Sequence, residues 1–117
     1  MRLRLFACAF VLLGLATLAH AAVYLAYEQV TVAASAIGFT STAITPVGRL
    51  KATTATCRLE TAEIRYTIDG TTPTTTVGTP LEPLEGVTLN GHDVLLNFLA
   101  IRTGGTSGTL NCVYSTP

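Results

Sequence analysis

Thiol, imidazole and carboxylate are the reactive groups this chain offers, so their spacing is weighed first. Cys57 stands among Thr54, Ala55, Thr56 and Arg58. A nucleophilic thiol needs a nearby base and a lowered pKa, and this mid-strand setting gives Cys57 a structural role instead. His92 follows Asn90-Gly91. No Ser-His-Asp or Cys-His set can be built around it, so it reads as a solvated turn residue. Two carboxylate pairs occur, Glu60/Glu63 and Glu82/Glu85. Glu63 falls on the polar side of its strand and Glu82 and Glu85 in a Pro-rich loop, so all are read as solvated charge. Asp69 and Asp93 are too few for Ca²⁺, which takes about six to eight oxygens. Asp69 is better placed as a turn residue bonding nearby amides. No catalytic set, metal or cofactor is expected.

Two further groups bear on binding and stability. Tyr24 and Tyr27 are the tyrosines that strand parity does not place in the core, so they are the exposed aromatics available to a sugar ring or a partner. Once a leader is removed, Cys57 and Cys112 remain as a pair. They form a disulfide or two buried thiols in neighbouring strands.

These residues sit on an alternating scaffold. Ile64, Tyr66 and Ile68 alternate with Glu63, Arg65 and Thr67, a period that predicts a half-buried strand with the three apolar groups on one face. Asp69-Gly70 turns the chain and Pro73 ends the pairing. Ala55, Cys57 and Leu59 are expected on one face of a preceding strand, opposite Thr54, Thr56 and Arg58, and Leu110, Cys112 and Tyr114 on the inner face of a last one. A first strand is read over 28–33, a short one near Ala43, and another at Val87-Thr88-Leu89. Asn90-Gly91 then predicts a two-residue hairpin. The apolar run 94–102, closed by Gly104-Gly105, fits a central strand better than a helix. Residues 71–83 read as a Thr/Pro/Gly loop with a short extended piece at 75–77. The total is about seven short strands, the pattern of a sandwich, and the heavy use of β-branched Thr agrees with it.

The N-terminus reads as a targeting segment. Arg2 and Arg4 precede an uncharged run over 5–18, and Ala19-His20-Ala21 offers small residues at the cleavage positions. A retained helix is the alternative, although spanning a bilayer takes about twenty apolar residues. Beyond residue 21 the chain carries five basic and seven acidic residues, a net charge of 5 − 7 = −2. The positives do not cluster, so nucleic acid is a poor partner.

The string Ile-Arg-Tyr-Thr-Ile-Asp-Gly-Thr-Thr-Pro-Thr over 64–74 resembles the signature of the chitobiase/β-hexosaminidase C-terminal-type domain. That family's fold is an immunoglobulin-like sandwich appended to bacterial surface and carbohydrate-active proteins. Gly86-Val-Thr-Leu and Ala100-Ile101-Arg102 followed by Gly104-Gly105 suit its ending, and the resemblance covers roughly residues 51–115. The same core is similar to small proteins encoded among the structural genes of tailed bacteriophages, which implies an accessory, decoration-type component of a virion.

The expectation is thus an all-β chain: a single immunoglobulin-like β-sandwich over 22–117, preceded by a hydrophobic signal-like helix over 1–21. The leading functional reading is a non-enzymatic virion-associated protein held to neighbouring capsid subunits. The alternative is an exported cell-surface module that recognises polysaccharide. Contact is expected through Thr71, Thr72, Thr74, Thr75, Thr76, Thr106 and Ser107, because exposed loops on a rigid scaffold usually carry recognition. The leader implies export and the phage resemblance implies the virion. A membrane is met only through an uncleaved leader.

Overall fold

Alternation of apolar and polar side chains lays down the strands of this chain, and two sheets result. A computed structural model describes residues 21–117. The signal-like helix expected over 1–21 lies, but for Ala21, outside the described residues. The elements are β1 (Val23–Val32), α1 (Ser41–Ile44), β2 (Thr54–Glu60), β3 (Ile64–Thr67), β4 (Thr79–Leu81), β5 (Gly86–Asn90), α2 (His92–Asn97), β6 (Leu99–Arg102) and β7 (Gly108–Thr116). One sheet has the order β1-β7-β2-β5 and the other β4-β3-β6, with every pairing antiparallel. No helix among the described residues is long and apolar enough to cross a membrane.

The last strand occupies the middle of the larger sheet. β7 lies between β1 and β2, and its alternation sends Leu110, Cys112 and Tyr114 inward, where all three are buried. Opposite them on β2, Ala55, Cys57 and Leu59 are buried as their spacing predicts. Cys57 and Cys112 are direct cross-strand partners and are joined by a disulfide, with Cα atoms 4.1 Å apart. Around them Phe39 stacks on Phe98 at 4.1 Å and meets Tyr114 edge-on at 5.3 Å. Those aromatic contacts bridge the two layers.

Tyr114 ties the core to its edge strand. Its phenol donates to Glu28 Oε1 at 2.6 Å, and the same oxygen accepts from the Thr40 amide at 3.1 Å. Burial, reinforced by the Glu28 hydrogen bond, pushes the phenol pKa above its ordinary value.

Several expectations are corrected. The apolar run 94–102 is not one central strand: α2 takes its first part and β6 its last. Gly91 has φ 110°, and its carbonyl accepts from the Leu95 amide at 3.2 Å, so Asn90-Gly91 opens a helical turn rather than a hairpin. The chain crosses there from β5 in one sheet to β6 in the other. The crossing buries Leu95 and Phe98 and leaves Leu96 52% exposed. Ile68 does not share the interior with Ile64. β3 ends at Thr67, whose hydroxyl bonds the Thr71 carbonyl, and the chain leaves the sheet before parity can turn Ile68 inward. Ile64 is fully buried, Tyr66 is half-buried against Phe98, and Ile68 is 45% exposed. The short strand near Ala43 is helix α1, and the extended piece lies at β4 rather than at 75–77. β1 is longer than 28–33 predicted.

Two measurements check this packing. Ile64→Ala should cost about 2–5 kcal/mol as a core truncation, whereas Ile68→Ala should stay within about 0.5 kcal/mol, both read by chemical denaturation. A phenol whose folded pKa is raised contributes stability that is complete below its unfolded pKa and is lost as pH rises past it. Stability should therefore fall as pH climbs beyond about 10. In Tyr114→Phe that alkaline slope should flatten, with a loss of about 1–3 kcal/mol at neutral pH from the unpaired Glu28 carboxyl.

Candidate binding face and its surroundings

The reactive groups singled out in the sequence do not converge. Cys57 is held in its disulfide. His92 is not a solvated turn residue: it is the first residue of α2, half-buried, with Nδ1 2.8 Å from the Ala52 carbonyl and Nε2 3.4 Å from Thr45 Oγ1. It fastens the crossing helix to the chain before β2. Asp69 accepts from the Thr71 amide at 3.0 Å, and that bond holds its carboxyl below the usual range. Asp93 sits in the first turn of α2. Among the described residues no group of three or more His, Cys, Asp or Glu could hold a metal ion.

The carboxylates pair differently from their order in the chain. Ile64 lies opposite Leu81 in β3/β4, which brings Glu63 to Glu82 rather than to Glu60. The hydrogen bond between them pulls the Glu63 pKa down and pushes the Glu82 pKa up. A shallow hollow of about 240 Å³ between Tyr66, Ile68, Asp69 and Gly78 offers one carboxylate and no base or nucleophile beside it.

The candidate contact loops lie at opposite ends of the smaller sheet. The 68–78 loop follows the C-terminal end of β3, whereas Arg102, which leads into the 103–107 loop, is paired with Ile64 at the other end. Thr71, Thr72, Thr74, Thr75, Thr76 and Thr106 are exposed and Ser107 is half-buried. Several of their polar groups are already engaged. Thr74 Oγ1 accepts from the Thr76 and Val77 amides at 3.2 and 3.0 Å, and the Ser107 carbonyl accepts from Thr61 Oγ1 at 2.9 Å.

A second exposed arrangement lies on the outer face of the larger sheet. Tyr24 and Tyr27 are three residues apart, so regular alternation would send them to opposite faces. The β1/β7 register steps from Tyr24↔Ser115 to Ala26↔Tyr114, leaving Leu25 as one extra residue. This bulge turns Leu25 and Ala26 toward the core and puts both tyrosines on the outside. They are 74% and 63% exposed. Next to them the register aligns Gln29 with Asn111 and Arg58, and Tyr27 with Val113 and Thr56. Tyr27 Oη and Gln29 Nε2 both donate to Asn111 Oδ1, at 2.8 and 3.1 Å. Asn111 thereby fixes the Tyr27 ring across the sheet while its own amide nitrogen stays available as a donor. Sequence reading found the tyrosines but not Gln29, Asn111 or Arg58, since only the register assembles that row.

A model of the chitobiase/beta-hexosaminidase C-terminal domain matches residues 48–111, more than half of the 117-residue chain. The chain belongs to this family. No curated protein and no solved structure matches it. The family span starts before β2 and ends within β7, so β2, β3, β4, β5, β6 and the disulfide partner Cys57 fall inside it. β1 and its two tyrosines fall outside. The family domain is an immunoglobulin-like sandwich, and in this member the last strand lies between the first and second rather than in the three-stranded sheet.

The carboxyl pair gives a direct check. In a carboxyl-resolved NMR titration Glu82 should titrate above, and Glu63 below, the ordinary value of about 4.3. Glu63→Ala should bring Glu82 down toward that value. In stability terms the Glu82 contribution is complete at low pH and fades as pH rises through its folded midpoint, while that of Glu63 fades as pH falls.

Proposed function

We propose that this protein is a non-catalytic binding module, exported from the cell, whose outer β1-β7-β2-β5 face holds a polysaccharide chain. The observation that carries the reading is the bulge at Leu25. It sets two exposed tyrosines on one face, about 7 Å apart along the strand (two residue rises), beside the Gln29–Asn111–Arg58 row. A pyranose presents one apolar face and a rim of hydroxyls. Tyrosine rings supply apolar area at little conformational cost, and amide and guanidinium groups supply donors and acceptors for the rim.

Family membership supports the same reading, because the matching domain takes its name from chitobiase and beta-hexosaminidase. Export is supported by the leader-like 1–21 segment and by a cysteine pair suited to an oxidising compartment. The tailed-phage reading gains nothing from the family match or from the sheet face.

Affinity electrophoresis and calorimetry against chito-oligosaccharides and a panel of soluble polysaccharides test this proposal. Tyr24→Ala and Tyr27→Ala should each weaken binding by about tenfold, the effect of losing ~1.4 kcal/mol of ring contact, with thermal stability unchanged. Wild-type protein that binds no glycan in the panel, or variants that bind as wild type does, would count against it.

A further inference from the structure

Among the described residues no strand pairs with the outer edge of β1, which leaves hydrogen-bonding capacity there. In antiparallel sheets close pairs, with Cα atoms about 4.5 Å apart, are those that do not exchange backbone hydrogen bonds. Cys57 and Cys112, at 4.1 Å, are such a pair, and the Leu59 amide bonded to the Glu85 carbonyl on the β5 side gives β2 the same phase. The backbone groups of Cys112 therefore point at β1, where Glu28 is its partner. Ala26, Glu28, Val30 and Val32 then bond to β7, while Tyr27, Gln29 and Thr31 turn their N–H and C=O groups outward. All three residues are exposed.

This open window is bounded at both ends. The bulge at Leu25 closes it on one side. On the other the Ala33 carbonyl accepts from the Arg102 amide at 3.0 Å, as the chain passes over to β6. Sheet edges are usually blunted by Lys, Pro or an inward twist. Between Ala26 and Val32 there is neither Lys nor Pro, and the one charge, Glu28, is folded inward onto Tyr114.

We propose that a second copy of this chain covers the window, with β1 pairing antiparallel to β1 about a two-fold axis at Gln29. A three-residue window centred on Gln29 is self-complementary. Tyr27 meets Thr31 of the second copy, Gln29 meets Gln29, and Thr31 meets Tyr27, so every outward group finds a partner. The absence of exposed charge lets two identical edges approach without repulsion, and a C2 contact closes on itself instead of growing into fibres. Partners in an antiparallel pair share a face, so the two outer faces join into one sheet of doubled width bearing the tyrosines of both copies. The seam is shorter than a standard interface of about 1,600 Å², which makes the dimer weak and concentration-dependent. The pairing does not rest on the glycan reading, because a protein that binds no sugar can still dimerise this way.

Sedimentation equilibrium on the purified protein, with amide hydrogen exchange at low and high concentration, tests it. Wild type should pass from monomer to dimer with concentration, and the Tyr27, Gln29 and Thr31 amides should become protected as it does, while those of Glu28 and Val30 are protected throughout. Gln29→Pro removes one outward N–H and no β1/β7 bond, and should give a folded monomer. As a second route, Gln29→Lys and Gln29→Glu should each weaken the dimer, and mixing them should restore it as a heterodimer. A wild type that stays monomeric would overturn the proposal. So would a dimer indifferent to both Gln29 substitutions and their mixture, or one whose Tyr27, Gln29 and Thr31 amides exchange freely.

Discussion

Register between β1 and β7 governs what this molecule shows to its surroundings. β7 is pinned at Cys112 by the bond to Cys57 and at Tyr114 by the hydrogen bond to Glu28, so it cannot slide without disturbing the core. β1 must pair with that fixed strand, and Val30 and Val32 must be buried when it does. A one-residue slip would carry every side chain of β1 to the wrong face. The bulge at Leu25 resolves the conflict at the strand's N-terminal end. It lets Leu25 and Ala26 both lean on the core, and Tyr24 is thereby returned to the outer face beside Tyr27.

A central last strand has consequences for the whole sandwich. The neighbours of β7 come from the start of the described chain and from β2, so the larger sheet is complete only when the first and last described strands have met. The disulfide lies within that sheet, whereas the bridge typical of antibody domains joins the two layers. Attachment of layer to layer here falls to side chains: the Phe39–Phe98 stack and Phe39 against Tyr114. Closure on one side also comes from the backbone, through the Ile37/Ala100 bridge and the Ala33–Arg102 hydrogen bond.

How much of this was legible in the sequence depended on whether local alternation met a long-range demand. The inward sets Ala55/Cys57/Leu59 and Leu110/Cys112/Tyr114 were readable because both strands lie mid-sheet, where parity alone decides burial. Ile68 was misread because period-two patterning continues past the point where Thr67 ends the strand. The 94–102 run was misread because its apolar content suits a strand, while the need to cross from β5 to β6 sets the first part as a helical turn. Pro80 hid β4, since proline within a strand is tolerated only at an edge, and β4 is an edge. On the outer face of the larger sheet the two tyrosines were visible as types, but their shared side depends on a bulge that no glycine announces. The Gln29–Asn111–Arg58 row draws on three strands and exists only in register. Glu63 and Glu82 likewise meet only through the β3/β4 pairing.

The proposed function places recognition on the bulge-made face of the larger sheet and not on the Thr-rich loops. Mapping backbone amide shifts while titrating a bound oligosaccharide addresses it most directly. The account predicts that the largest shifts fall on Tyr24, Tyr27, Gln29, Arg58 and Asn111. Shifts concentrated on residues 71–76, or around Ile68 and Asp69, would contradict it.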